Sequence, residues 1–280
     1  MLALLKRNFL LYFRNRSGVF FSLLGALISF VLYIIFLQKN LTDAWAQLPN
    51  SGPVLNNWLM SGTLAVTGIT TSLAALTQLV KDREHQVDQD LYLSDQGKWR
   101  LAFSYLTSAI IISFSMQILM YVLMCGYFRE VPTLSLLPEV LLIMLLSSLL
   151  SSLVSAIFVY FFQSVDSLGK FSTIVGTASG FLVGTYVPLG VLPTFAQSLM
   201  KCTPATYIAA LYRQVLMKEA LSETFKGQDN LLQEFQEKMG VQLKWQTLLT
   251  KEQTYLIVLG GILLALGIWI SLAKRSSKRK

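Results

Sequence analysis

From Leu55 to Val80 the chain carries no ionisable side chain, and it returns to the same pattern at 18–37, 102–127, 139–162, 171–191 and 254–273. Glu139, at the margin of the fourth stretch, is the only Asp, Glu, Lys, Arg or His in any of the six. A run of about 20 apolar residues crosses the hydrocarbon core of a bilayer as a helix. A soluble chain would carry about 25% charged residues, whereas this one carries 14%, with 54% hydrophobic. The expected fold is therefore an all-α polytopic membrane protein with six transmembrane helices. The second, third and fourth stretches exceed the required length and are expected to tilt or to project past the lipid.

The formal net charge of +8 is unevenly placed. Residues 1–17 hold Lys6, Arg7, Arg14 and Arg16 with no acid, and the tail KRSSKRK is equally one-sided. Segment 81–101 adds Lys81, Arg83, Lys98 and Arg100, while 38–54 and 128–138 hold only Lys39 and Arg129. Basic residues near span ends favour the cytoplasmic side. Both termini and 81–101 are expected there, in a multi-pass protein of the plasma membrane. This charge orients the chain, and no nucleic-acid partner is expected. Leu2, Leu5, Phe9 and Phe13 recur at helical spacing away from Lys6, Arg7 and Arg14, which predicts an interfacial amphipathic helix over 1–17 lying on membrane lipids. The run 18–37 is too long for the apolar region of a cleaved leader, and five more spans follow it.

Proton-coupled transporters and pumps usually carry an ionisable group inside the membrane. Here the single histidine, His85, lies in 81–101. No phosphate-binding loop, HExxH or GxSxG motif occurs, so no catalytic residue, metal or cofactor is expected on this chain. Energy for any movement is expected to enter from outside the membrane. The spans are instead rich in hydroxyls and glycine. Thr63, Thr67, Thr70 and Thr71 on the second span are candidates for lining a path, although such hydroxyls also bond the preceding helical turn. Gly176, Gly180 and Gly184 make two overlapping G-x-x-x-G units, the pattern of close helix packing or of a dimer interface. Cys125 and Cys202 fall on the outer side, where two isolated thiols read as free small hydrophobes before they read as a bridge.

Two segments stand apart. In 81–101, KDREHQVDQD places acids and bases beside Leu91, Tyr92, Leu93, Trp99 and Leu101, a pattern suited to docking a soluble partner at the membrane surface. Residues 186–204, YVPLGVLPTFAQSLMKCTP, concentrate Pro188, Pro193 and Pro204 in apolar surroundings. Proline breaks helices, and non-helical backbone at membrane depth must be buried in protein or face a wet cavity. Pro188 and Pro193 are expected to stop the fifth helix, with 194–201 and 205–217 as short re-entrant helices. In the polar stretch 218–253, Leu231, Leu232, Phe235 and Met239 predict an amphipathic helix closed by Gly240, and Thr250 with Gln253 has the spacing of a capping box.

KDRE directly after the second span, LAFSYL opening the third, and the ordered set Pro188, Leu192-Pro193, Thr203-Pro204, Tyr207 and Arg213 resemble the membrane subunit of ABC-2 type ABC transporters. The likeness spans essentially the whole chain, with the transmembrane domain over 18–280. It implies a coupling helix in connector 81–101, with Asp82, Arg83 and Glu84 facing the gate and the ATPase, and Asp88 and Asp90 next. It implies an outer gate at Pro188, Pro193, Pro204, Tyr207 and Arg213. The implied partners are an ABC ATPase subunit, which would hold ATP and magnesium, and a second copy of the chain or a homologous permease. The implied function is outward movement of an amphipathic drug, lipid or hydrophobic peptide. Export of a lipid-linked polysaccharide is the alternative, and an ATP-independent secondary transporter the more distant one.

Overall fold

The computed structural model describes residues 1–45, 51–93, 97–129 and 134–278. Its helices are α1 (Leu2–Arg14), α2 (Arg16–Leu32), α3 (Gln38–Ala44), α4 (Ser51–Glu84), α5 (Val87–Leu93), α6 (Gly97–Phe128), α7 (Leu137–Val159), α8 (Val165–Leu182), α9 (Thr194–Lys201), α10 (Pro204–Leu216), α11 (Lys218–Thr224), α12 (Asp229–Lys238) and α13 (Lys251–Lys278). A π-helical turn at Tyr33–Leu37 joins α2 to α3, and a 3-10 turn at Leu189–Val191 precedes α9. Among the described residues the only β pairing is an isolated bridge between Lys244 and Leu248.

Among the described residues, five helical stretches are long and apolar enough to cross a membrane: Arg16–Leu41, Gly52–Glu84, Trp99–Phe128, Leu137–Val159 and Lys251–Arg275. The remaining apolar stretch, 171–191, is helical only in part. Helix α8 has 18 residues, with Asp166 in its first turn, and measures about 27 Å at 1.5 Å per residue, slightly less than a typical hydrocarbon core. It ends at Leu182, well before Pro188. The stop is a glycine. Gly184 takes φ +71°, and the amides of Thr185 and Tyr186 then turn back onto the Gly180 carbonyl at 2.8 and 3.2 Å. That left-handed turn closes the last carbonyls of the helix at no steric cost to glycine. The expectation that Pro188 and Pro193 end this helix is thus corrected. The prolines open helices instead: Pro193 is the N-cap of α9 and Pro204 is the first residue of α10, where the missing N–H costs no hydrogen bond.

Helix α4 is the axis of the bundle. At 34 residues, about 51 Å long, it packs against α2, α6, α7, α8 and α10. Trp58, Leu59, Leu64 and Val66 along it are fully buried. Helix α13 lies on the outside, against α7 and α10, and leaves Leu256, Leu263 and Leu264 about two-thirds exposed, at 68%, 69% and 66%. The C-terminus of α4 meets α1 and the turn between α7 and α8 at one end of the bundle, which we call the terminal end. At the opposite, cap end, α11, α12 and residues 239–241 form a cap. Leu221, Phe225, Phe235, Met239 and Val241 from the cap share one apolar cluster with Tyr33, Val54, Leu55, Trp58 and Leu59 of the spanning helices. The stretch 218–253 is therefore a packed element rather than a loose polar insertion. As expected, Gly240 (φ +66°) follows α12. Thr250 and Gln253 exchange the two bonds of a capping box, 2.9 and 3.3 Å. Cys125 and Cys202 do not pair with each other.

Candidate functional site

At the terminal end, three consecutive side chains of α4 reach three different neighbours. Successive helical residues are turned by about 100°, so a three-residue run sweeps most of the circumference. Asp82 is 3% exposed and accepts both arms of the Arg7 guanidinium, at 2.8 and 2.9 Å. It also accepts Gln78 Nε2 at 2.7 Å and the Tyr105 hydroxyl. This bidentate pair ties α1 to α4, and Asn8 adds a contact to Ser108 of α6 at 3.4 Å. The hydrogen bonds it donates to Asp82 hold the Arg7 guanidinium above its ordinary pKa. Arg83 donates to the Phe162 carbonyl at 3.0 Å, and Glu84 accepts the Val165 amide at 2.9 Å, at the first turn of α8. A carboxylate there satisfies an orphan helix donor and opposes the positive end of the dipole.

Asp82 was expected among the partner-facing residues, and its burial corrects that. A carboxylate enclosed by four donors has no capacity left for a docking protein. Glu84 and Asp90 are exposed and Asp88 is half-buried. Helix α5, which carries the last two, stands between left-handed residues at Gln86 (φ 57°) and Gly97 (φ 59°). Leu91 packs against the core and Leu101 is buried. The side chains of Tyr92 and Leu93 lie outside those described.

Inside the bundle, Thr63, Thr67 and Thr71 are fully buried, while Thr70 is half-buried. Thr67, Thr70 and Thr71 all bond carbonyls one turn back; of the four expected path-lining residues, Thr70 also lines a cavity. That cavity is a groove of about 380 Å³ between α2, α4 and α8, where Ser22, Thr70 and Thr77 join Ser172, Thr173 and Thr177 in an otherwise apolar wall. The glycine stripe is also reshaped. Gly184 lies past the end of α8, which leaves a single helical G-x-x-x-G unit. A Cβ on Gly180 would run into the Tyr186 ring, whereas one on Gly176 would meet nothing within 4 Å. A Cβ on Gly25 would lie 3.2 Å from the Gly176 carbonyl, so α2 and α8 already approach closely within one chain.

The expectation built on formal charge missed Gln117. It is fully buried in α6, accepts the Tyr212 hydroxyl of α10 at 2.7 Å and donates to Ser148 of α7 at 2.8 Å. Ser113, one turn away, donates to the Gly68 carbonyl of α4 at 3.1 Å. Four helices thus meet at one amide. An uncharged polar residue within an apolar span was the available signal, since it too needs partners in lipid.

At the cap end Arg213 is 1% exposed. Its guanidinium donates to the carbonyls of Val183 (3.0 Å), Gly184 (2.8 Å) and Gly240 (3.1 Å), and lies 5.2 Å from the centre of the Trp58 ring. Trp58 Nε1 donates to Met239 O at 2.8 Å and Gln214 Nε2 to Val241 O at 2.9 Å. Three side chains from α4 and α10 therefore hold three consecutive carbonyls of the cap. Tyr207 is buried at the same end and donates to the Lys201 carbonyl at 2.8 Å. Pro188 is buried, whereas Pro193 and Pro204 are exposed at the starts of their helices.

A family model described as ABC-2 type transporter matches residues 1–217. No curated protein matches the chain. The match ends next to α10, so the cap and α13 lie beyond it. The chain belongs to the ABC-2 type transporter family.

Proposed function

As a member of that family the chain is a membrane-embedded permease subunit, and we propose that it serves an exporter driven by ATP hydrolysed on a separate ABC ATPase. In this reading the terminal end faces the cytoplasm of a cell-membrane protein, α8 is the fifth of six spans, and α9 and α10 are the re-entrant helices of an outer gate. Two such chains, or this one and a homologue, enclose the path. Magnesium and ATP stay on the ATPase, and no covalent chemistry falls to this chain.

The observation that carries the reading is the arrangement at the end of α4. Helix α5 projects from a junction that grips α1 through Asp82, the turn after α7 through Arg83 and the start of α8 through Glu84. An ATPase that moves α5 displaces all of these together. The groove between α2, α4 and α8, apolar with a row of hydroxyls, supports an amphipathic substrate such as a drug, lipid or hydrophobic peptide. Polar spots in such a wall bind hydroxyls or amides without the desolvation penalty that a buried charge would carry.

The test is co-purification of the tagged chain from gently solubilised native membranes, with and without reversal of Asp88 and Asp90 to lysine. Both sit on α5 and neither belongs to the buried junction. A Walker-motif ATPase that accompanies the native chain and is lost on reversal is the expected result. A well-folded preparation with no ATPase in either sample overturns the reading.

A further inference from the structure

The cap encloses a second cavity, of about 490 Å³, between itself and α9. Its floor is the Leu189–Gly190 turn. A Cβ on Gly190 would stand 2.6 Å from the Cα of Lys238, so this turn and α12 touch backbone to backbone. The walls are charged, and most of that charge is settled internally. Lys238 pairs with Glu234 at 2.6 Å and Lys244 with Glu237 at 3.0 Å. Lys201, the last residue of α9, also lines the cavity but has no carboxylate within ion-pair distance among the described residues. The lining therefore carries one surplus positive charge.

Beside that charge stands an anchored aromatic face. Trp245 leaves 59% of its surface exposed, yet its Nε1 donates to the Tyr207 hydroxyl at 3.0 Å, and that hydroxyl donates to the Lys201 carbonyl at 2.8 Å. The ring and the residue that bears the free ammonium are thus tied through one hydroxyl. Helix α9 divides two environments. Gln197 and Lys201, one turn apart, face the cavity, while Phe195 and Leu199 point elsewhere with 79% and 52% of their surface uncovered. Residues two apart on a helix are about 200° apart, so the apolar edge of α9 faces away from the charged cavity.

We propose that this cavity is a headgroup site for an anionic amphiphile. A phosphate or carboxylate pairs with Lys201, the adjoining part of the headgroup lies on Trp245, and the apolar tail stays along Phe195 and Leu199 on the other side of α9. The proposal rests on the exporter reading, and it narrows the substrate class to amphiphiles with a negative headgroup. It uses the cap, which lies outside the family match.

The experiment titrates the full chain, held in zwitterionic nanodiscs, with dihexanoyl phosphatidylglycerol, dihexanoyl phosphatidylcholine or inorganic phosphate. Tryptophan emission is the signal, and W245F supplies the background. Saturable binding of the phosphatidylglycerol is expected, weakened about tenfold or more by K201Q, the scale of one lost charge-assisted hydrogen bond. K201R restores it, because charge and reach are kept. The phosphatidylcholine binds about tenfold more weakly or not at all. Equal binding of the two lipids, or K201Q indistinguishable from the native chain, overturns the proposal. Inorganic phosphate competing as well as the phosphatidylglycerol also overturns it, in favour of a free-anion site. The ATPase co-purification test does not involve Lys201. Lipid binding lost while the ATPase still co-purifies removes this site alone; lipid binding kept with no ATPase removes the exporter reading alone.

Discussion

The Arg213 guanidinium donates to the Gly184 carbonyl at 2.8 Å across 29 residues of chain, and so joins the glycine that ends α8 to α10. The same side chain serves Val183 and Gly240. Substitution by methionine removes the donors and leaves three carbonyls without that partner in a fully buried place. The expected loss is about 2–4 kcal/mol, since unsatisfied buried acceptors cost about 1–3 kcal/mol each and do not add fully. R213K recovers only part, because a single ammonium lacks the planar fork that spans several acceptors. Thermal unfolding of the detergent-solubilised protein is the check, with a fall of roughly 5–15 °C expected for R213M.

The Arg7–Asp82 pair fixes α1 on the bundle. D82N keeps the shape and removes the charge, which weakens bonds worth about 1.5–3 kcal/mol when charged. Leu4, 7% exposed against this junction, then becomes more accessible. A cysteine placed at Leu4 should react with a water-soluble maleimide about tenfold faster in the D82N background. R7Q should match it, and the R7Q/D82N pair should add little, because both remove the same contact.

Gln117 and Tyr212 form a second coupled pair. Q117L leaves the Tyr212 hydroxyl without its acceptor, and Y212F leaves the amide oxygen without its donor. Each single change should cost about 1–3 kcal/mol, while the double change should cost clearly less than their sum. Stability measured on the four proteins tests this, and strict additivity would show that the bond contributes nothing.

The two helical glycines should behave differently. G180A drives a methyl into the Tyr186 ring, whereas G176A enters open space. We expect G180A to destabilise the monomeric fold by about 1–3 kcal/mol, the range for overpacking, and G176A to leave it nearly unchanged. G176L puts a large side chain both on this face and into the groove that Gly176 lines, so cross-linking in native membranes reads self-association and transport reads the groove. If it changes neither association nor transport, this face of α8 is not where a second copy meets the first.

What the sequence made legible follows from how local the governing physics is. The apolar stretches are readable because lipid constrains each of them independently, and the starts of α9 and α10 because proline at a helix start needs no partner. The capping box of Thr250 and Gln253 is equally local. The end of α8 is not legible from its two prolines, because the left-handed turn at Gly184 closes the helix before the chain reaches them. Asp82, Arg83 and Glu84 are readable as a charged run at the end of the second span, but which way each points depends on helical phase and on Arg7, Phe162 and Val165, far away in sequence. Gln117 carries no formal charge, so the charge pattern does not mark it. The docking of the cap was not readable at all: Trp58 and Met239 lie 181 residues apart, and nothing at either position announces the other.

The junction at the end of α4 has a mechanical consequence. Asp82, Arg83 and Glu84 are three legs of a tripod set around one turn of helix, each standing on different ground. Supports that share a load in parallel add their stiffness, so removing one leg softens the mount without toppling it. A push delivered through α5 is split among α1, the turn after α7 and the first turn of α8 in proportion to the stiffness of each leg. Damage here should therefore be graded, and the proportions in which motion reaches the three neighbours can be retuned by exchanging a single side chain.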